Sequence, residues 1–477
     1  MLRRFQFFRY ASVALIACFA INVTVAKPRI IILLQEGLGH EITSAARMYS
    51  EEPEIWDWRL DSEWTIRSLS TQPLTTRNQP DGTDPVTRLH YDPLKAWNGS
   101  TVSLNPDVTA LQTTFEGYQW LIENATDANQ AFSVLNSGIP TYNTSFNWLS
   151  YPAKTGSPMP AEQLLLEWAK RKGLKTGVVS DMPFSYAGNT ILAGARSPNP
   201  DNAIARFNQI IKSPYLNLYV ATGHPKYNEL GQALPEPKYI FCSQNDWQDL
   251  RSKGRANGWD VVFGDENLMG INTQTGSQMD KRLVIMQFGD TSSTEALSTD
   301  SSMLGANLSA SMRFQIKIAL SYLDQDSDGF MLIVHFGRLP KLLKADLQKE
   351  ALEDVINTYK SLNICKDWVN ENAGWEETTL MLTSPYEYGL LWGADSASFP
   401  FSQISNRGKK RLPGFRVNYQ GPTGMLTPLL IRGSLADKAQ EFVEGKDPIY
   451  GPYLHLEGLN RLLRSFELPE ESMIEQP

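Results

Sequence analysis

The sequence predicts an α/β fold, a doubly wound and mostly parallel central sheet with helices on both faces. Three observations carry this. Short apolar, β-branched runs recur along the chain, they are continuous rather than alternating, and helical patterns separate them. Continuous hydrophobicity marks strands buried on both faces, the condition of a parallel sheet covered by crossover helices. No repeat or low-complexity tract interrupts the alternation, and 477 residues at 42% hydrophobic give one large unit ample core.

The runs are "RIIILL" (29–34), "KTGVVS" (175–180), "NLYVA" (217–221), "DVVF" (260–263), "RLVIMQF" (282–288), "GFMLIV" (329–334), "TLMLTS" (379–384) and "TPLLI" (427–431). Between them, "SPMPAEQLLLEWAKRKG" (157–173) predicts a helix with Pro160 in its first turn and Gly173 as its stop. A second long helical pattern covers about 341–372. "ENATDANQAFSVLNSG" (123–138) predicts a helix that starts at Ala128, after Thr126 and Asp127, and stops at Gly138. Segments 51–107 and 394–424, rich in Pro, Gly, Asn and Ser, read as surface insertions on a single domain spanning 27–477. Ligand sites of such sheets lie at the C-terminal strand ends. Here those ends read "LLQEGLG" (33–39), "VVSDMPFSYAGN" (178–189), "LIVHFGRLPKLLK" (332–344) and "LTSPYEYG" (382–389).

The N-terminus has positive charge in "MLRRFQFFR", then an apolar stretch, then small residues before Ala26, the layout of a secretory signal over 1–26. The expected location is secreted or periplasmic, with no transmembrane helix in the mature chain. An uncleaved anchor and a lipoprotein tethered through Cys18 are the alternatives. Cys242 and Cys365 then remain, and nothing in the sequence pairs them. A formal charge of −8 without a basic stripe argues against a nucleic-acid partner, and "RGKKR" (407–411) reads as a solvated loop. "DQDSDG" (324–329) looks like the start of a calcium loop, but the position that needs a bidentate Glu is His335, so it reads as a turn before a strand.

The ordered motifs resemble the alkaline phosphatase family through nearly all of the mature chain. "RIIILLQEGLGHEITSAARMY" is similar to that family's opening strand and "GDGMG" turn, and "KTGVVSDMPFSYA" to its "TGVVTT…SHATP" segment. "YVATGHPKYNELG" is similar to its "GGGHP" turn, "GFMLIVHFGRLPK" to "GFFLMVEGGRID", and "TTLMLTSPYEYGLLWG" to "TLVIVTADHETGG". "NRGKKRLPGFRVNYQGPTGMLTPLLIRG" resembles "GKLPGFKFNSGGHTGELVPLFAKG". The resemblance implies two zinc ions and a magnesium that activate a serine and hold a phosphoryl group. It also places non-ligands at nearly every site position. The serine position is Ala128, and the first aspartate position is Glu36, the one acidic ligand position to stay acidic. Tyr186 and Gly188 stand at the magnesium segment. His335 stands for a glutamate, Pro340 for an aspartate and Lys344 for a histidine. Pro385 and Tyr386 replace an aspartate and a histidine, and Pro422 replaces the last histidine. Arg196 is near the phosphate-gripping arginine without matching its spacing. Five histidines (His40, His90, His224, His335, His455) are too few to rebuild the pattern by slipped alignment.

The expectation is therefore an exported homologue that binds or scaffolds without catalysis and without a metal cofactor. A hydrolase with a rewired site is the alternative, with Thr126 or Asp127 as nucleophile beside Glu36, His335 and Lys344. Within the degenerate pocket, Tyr186 and Tyr386 are expected to fill the ligands' space and donate hydrogen bonds, and the Lys344 ammonium to offset Glu36. Glu36 and His335 either hold one divalent cation weakly or hydrogen-bond each other. The helix N-terminus at Ala128 offers N–H groups to an anionic small molecule. The resemblance also implies a homodimer.

Overall fold

The computed structural model describes residues 27–74, 89–102, 115–149, 156–197, 202–228, 234–253, 255–256, 258–263, 281–285 and 301–466. The segment 1–26, with Cys18 and Ala26, lies outside these, as does the end of the 282–288 run. Among the described residues the main sheet has twelve strands. Its centre is parallel, in the order Thr378–Thr383, Arg29–Gln35, Phe330–Phe336, Lys175–Pro183, Leu218–Thr222, Lys281–Ile285 and Trp259–Phe263. Ile30 to Leu34 and Phe330 to Val334 are at most 1% exposed, the burial on both faces that the unbroken apolar runs require.

Four strands of the sheet depart from the sequence reading. Thr427–Gly433, read as another buried strand, runs antiparallel to Thr378–Thr383. Beyond it lie Thr65–Ser70, Gly451–His455 and Val443–Asp447, whose half-buried sequences give no apolar run. The segment near 51–107, read as an insertion, thus supplies a sheet strand and buries Trp56, Trp58 and Trp64. Parts of 89–122 join parts of 390–426 in a second apolar cluster built on Tyr91, Tyr118, Leu121, Leu390 and Trp392.

The helix read over 157–173 is shorter. Residues 161–163 form a 3₁₀ turn, Leu164 is extended, and the α-helix spans Leu165–Arg171, with Gly173 at φ 90° behind it. The 341–372 pattern is two helices, Leu339–Lys344 and Gln348–Asn372, separated at Asp346, whose φ is 57°. Two of the three "DQDSDG" acids are matched by cations: Asp324 Oδ1 lies 2.9 Å from Lys27 Nζ and 2.8 Å from Arg29 Nε, and Asp326 lies 3.1 Å from Lys175. The segment is an ion-paired turn. Cys242 and Cys365 are buried and free.

Candidate functional site

Three neighbouring parallel strands converge on Glu36. Register sets Leu34 beside His335, and His335 beside Ser180. Glu36 follows its strand directly, and its N–H donates to the Phe336 carbonyl at 2.9 Å, which fixes it next to the strand bearing His335. The His335 Nε2 lies 2.8 Å from Glu36 Oε1. The other carboxylate oxygen, Oε2, accepts from the Tyr386 hydroxyl at 2.5 Å and the Tyr186 hydroxyl at 3.1 Å. Glu36 and His335 are 1% and 0% exposed.

The network also assigns the imidazole's protons. Asn189 Nδ2 donates to the carbonyls of Pro183 (2.9 Å) and Met182 (3.2 Å), so its oxygen is the atom 2.5 Å from His335 Nδ1, and Nδ1 donates there. Nδ1 therefore carries one proton, and a second lies in the 2.8 Å contact between Nε2 and Glu36 Oε1, which makes the pair neutral overall. Ser180 Oγ, 3.1 Å from Nδ1, completes the ring's surroundings.

Aromatic rings close the space around this pair. Phe132 meets His335 edge-on with centroids 5.3 Å apart, and the Tyr186 ring lies 6.1 Å away at 19°. The Lys341 ammonium sits 5.2 Å from the Tyr186 centroid. A Cβ at Gly188 would come 2.8 Å from Phe132 and 3.0 Å from Glu36 Oε1, so no side chain fits at that position.

The helix Ala128–Ser137 begins and ends where the sequence predicts, with Gly138 left-handed behind it at φ 69°. It reaches the pair through Phe132 rather than through its N-terminus. That end is already filled. The Asp127 carboxylate accepts from the Gln130 N–H at 2.7 Å and from the Thr144 N–H, and the Asp127 N–H donates to Asn143 Oδ1 at 3.0 Å. Burial pushes the Asp127 carboxyl above its usual range, and the backbone donors work against that. Thr126 is 2% exposed, and its hydroxyl is tied to the Asp127 carbonyl at 2.9 Å and to Gln130. Thr126 and Asp127 are thus engaged in local bonds at the helix start, where Asp127 caps the Gln130 N–H. Removing that cap with Asp127→Ala is expected to cost about 1–2 kcal/mol in urea denaturation, with the native fold retained.

Lys344 corrects a further expectation. It ends the short Leu339–Lys344 helix and is exposed, while the basic group facing Glu36 is His335. Arg196 pairs with Glu167 at 2.7 Å and donates to the Met159 and Gly194 carbonyls. His40 is half-buried, stacked on Tyr450 at 4.1 Å and bonded to Ser68 at 3.0 Å. Burial lowers its pKa to about 4. His224 packs edge-on against Trp247, and its Nδ1 accepts the Lys226 N–H at 3.2 Å within a turn. Sequence reasoning passed over Asn189 and Ser180, although both lie in the "VVSDMPFSYAGN" strand end it singled out. It also passed over Glu387, buried two residues beyond Pro385.

A divalent cation does not fit these residues. Zinc needs several N, S or O donors converging at about 2.0–2.3 Å. Here the histidine nitrogen and the glutamate oxygen that would converge instead bond each other, and the second oxygen is capped by two phenols. Among the described residues no group of three or more His, Cys, Asp and Glu could hold a metal ion.

The architecture and the strand-end position of the site define an alkaline-phosphatase-like α/β fold. Three solved structures illustrate it. Alkaline phosphatase from the Antarctic bacterium TAB5 is 12% identical, with TM-score 0.55 over 92% of this chain and 97% of that one. The cold-active alkaline phosphatase from Shewanella sp. is 15% identical, with TM-score 0.56 over 93% and 100%. The Thermus thermophilus alkaline phosphatase is 13% identical, with TM-score 0.55 over 92% and 91%. No family profile matches the sequence, and no curated protein sequence does. Among the described residues no helix is long and apolar enough to cross a membrane.

Proposed function

We propose that this chain is an exported, non-catalytic binding or scaffold protein on an alkaline-phosphatase-like fold. One observation carries the reading: the sole acidic ligand position that persists, Glu36, is neutralised by His335 and capped by Tyr186 and Tyr386. Where the enzymes it resembles use the positive charge of metals, this chain has the proton that His335 and Glu36 share. The phenols stand where ligands would enter, and the residue at the nucleophile position is Ala128. A buried pair with its remaining lone pairs hydrogen-bonded is a structural element, costly to open and poor at activating water.

The test is metal analysis of the purified protein together with phosphomonoester and phosphodiester assays in added zinc and magnesium. Wild type is expected to carry less than one zinc per chain and to show background turnover with both substrates. Ala128→Ser, which restores a hydroxyl at the helix start, is expected to change neither. Stoichiometric zinc with turnover would overturn the reading in favour of a hydrolase. The mass of the same sample reads the processed N-terminus and separates cleavage after Ala26 from lipidation at Cys18.

A further inference from the structure

Beside the Glu36–His335 pair lies a second buried polar cluster that the proposed function does not use. Asp181, near the end of the Lys175–Pro183 strand, accepts the Gly337 N–H at 2.8 Å. Asp354, on the long Gln348–Asn372 helix, accepts from Gln35 Nε2 at 3.0 Å. Arg338 Nη1 lies 3.9 Å from Asp354 Oδ1, beyond direct hydrogen-bond reach. Asp181, Asp354, Arg338 and Gln35 are all buried, at 2%, 6%, 5% and 0% exposed. Two buried polar atoms have no partner here: Gln35 Oε1, an acceptor, and Arg338 Nε, a donor.

The charges do not balance as drawn. Two carboxylates face one guanidinium, and the His335–Glu36 pair nearby is neutral overall. A second buried carboxylate without a counter-charge takes up a proton instead. The 3.9 Å gap and the orphaned Arg338 Nε and Gln35 Oε1 call for bridging water.

We propose that Asp181 and Asp354 form a carboxyl pair that holds one proton between them near neutral pH, hydrated by buried water, directly behind the degenerate site. The proton comes from solvent, and its release leaves two carboxylates against Arg338. The groups facing Asp181 are Asp354 from the long helix, and Arg338 and His335 from the strand and turn at its side; Glu36 lies beyond His335. Burial and the Asp354 charge push the Asp181 carboxyl up to about 7, against the pull of Arg338, the Gly337 N–H and His335. Asp354 is also raised, by burial first, with Arg338 and Gln35 opposing. Because Asp181 holds Gly337, two residues from His335, proton release acts on the turn that follows His335.

Urea unfolding of wild type and Asp181→Asn between pH 4 and 8.5 tests this. Asparagine copies the protonated side chain, so the two should unfold alike near pH 4. Above that, the wild-type unfolding constant should rise relative to the variant by up to about tenfold per pH unit, levelling off above pH 7. Parallel profiles would overturn the proposal. So would a difference that appears in sodium chloride and vanishes in choline chloride, which would identify a cation rather than a proton. Should the variant not fold, infrared spectra of native wild-type protein carrying 13C-labelled aspartate decide the matter. A protonated aspartate carbonyl band present at pH 6 and lost at pH 8.5 supports the pair, and its absence at pH 6 excludes it.

Discussion

His335→Ala is expected to destabilise the protein by about 3–5 kcal/mol, the cost of removing one partner from a buried ion pair. Glu36 is then left 1% exposed, with two phenols but no counter-charge, and a cavity opens against the Phe132 edge. Glu36→Gln should cost less, because the amide oxygen still accepts from His335 Nε2 and the imidazole can release its second proton. Replacing both members with leucine removes two charges at once, so the double variant should be more stable than His335→Ala alone. Urea denaturation of His335→Leu, Glu36→Leu and the double leucine variant closes a double-mutant cycle, and the coupling term is expected to exceed the ~0.5 kcal/mol that independent sites leave. If His335→Ala costs under about 1 kcal/mol, His335 does not serve as the counter-ion. Ring 15N shifts of wild-type His335 give a second readout, since both nitrogens carry protons where the pair is ionised.

The sequence made most of the architecture readable because the parallel strands are buried on both faces and leave unbroken apolar runs. It failed where burial is one-sided. Thr65–Ser70 and Val443–Asp447 mix exposed and buried positions and carry charges, so they read as loop. At the site, the ordered motifs located Glu36, Tyr186, His335 and Tyr386, and the structure gathers the last three around the Glu36 carboxylate. The same motifs placed Lys344 near Glu36, but the turn after His335 carries the short helix away and leaves Lys344 in solvent. Which basic group faces a carboxylate is decided by backbone direction over the intervening residues, and residue identity alone does not encode it. Asn189 escaped notice for a related reason. Its part in orienting His335 comes from two carbonyls, Met182 and Pro183, that only the folded turn aims at it.

The pH dependence of stability should expose two further groups that act in opposite directions. Glu387 is 4% exposed and accepts from the Leu390 N–H at 3.1 Å and from the Thr423 hydroxyl. Burial outweighs those donors and raises its pKa from 4.5 to about 7. Between these values the native state keeps a proton that the unfolded chain has released, so stability falls as pH rises through the window. His40 is the reverse case, lowered from 6.5 to about 4 by burial, with Asp447 opposing and Arg59 assisting. Below 6.5 the unfolded chain takes up a proton that native His40 refuses, so stability falls as pH drops toward 4. The two windows overlap between pH 4.5 and 6.5, where their slopes largely cancel in wild type. Single variants should unmask them. Relative to wild type, the stability of Glu387→Gln should rise by about 1.4 kcal/mol per pH unit across the overlap, and that of His40→Gln should fall by about the same. Each integrates to roughly 3 kcal/mol over its full window. Urea midpoints taken every half pH unit from 4 to 8 measure both slopes. Variant curves that run parallel to wild type would show that neither group keeps its neutral form in the folded protein.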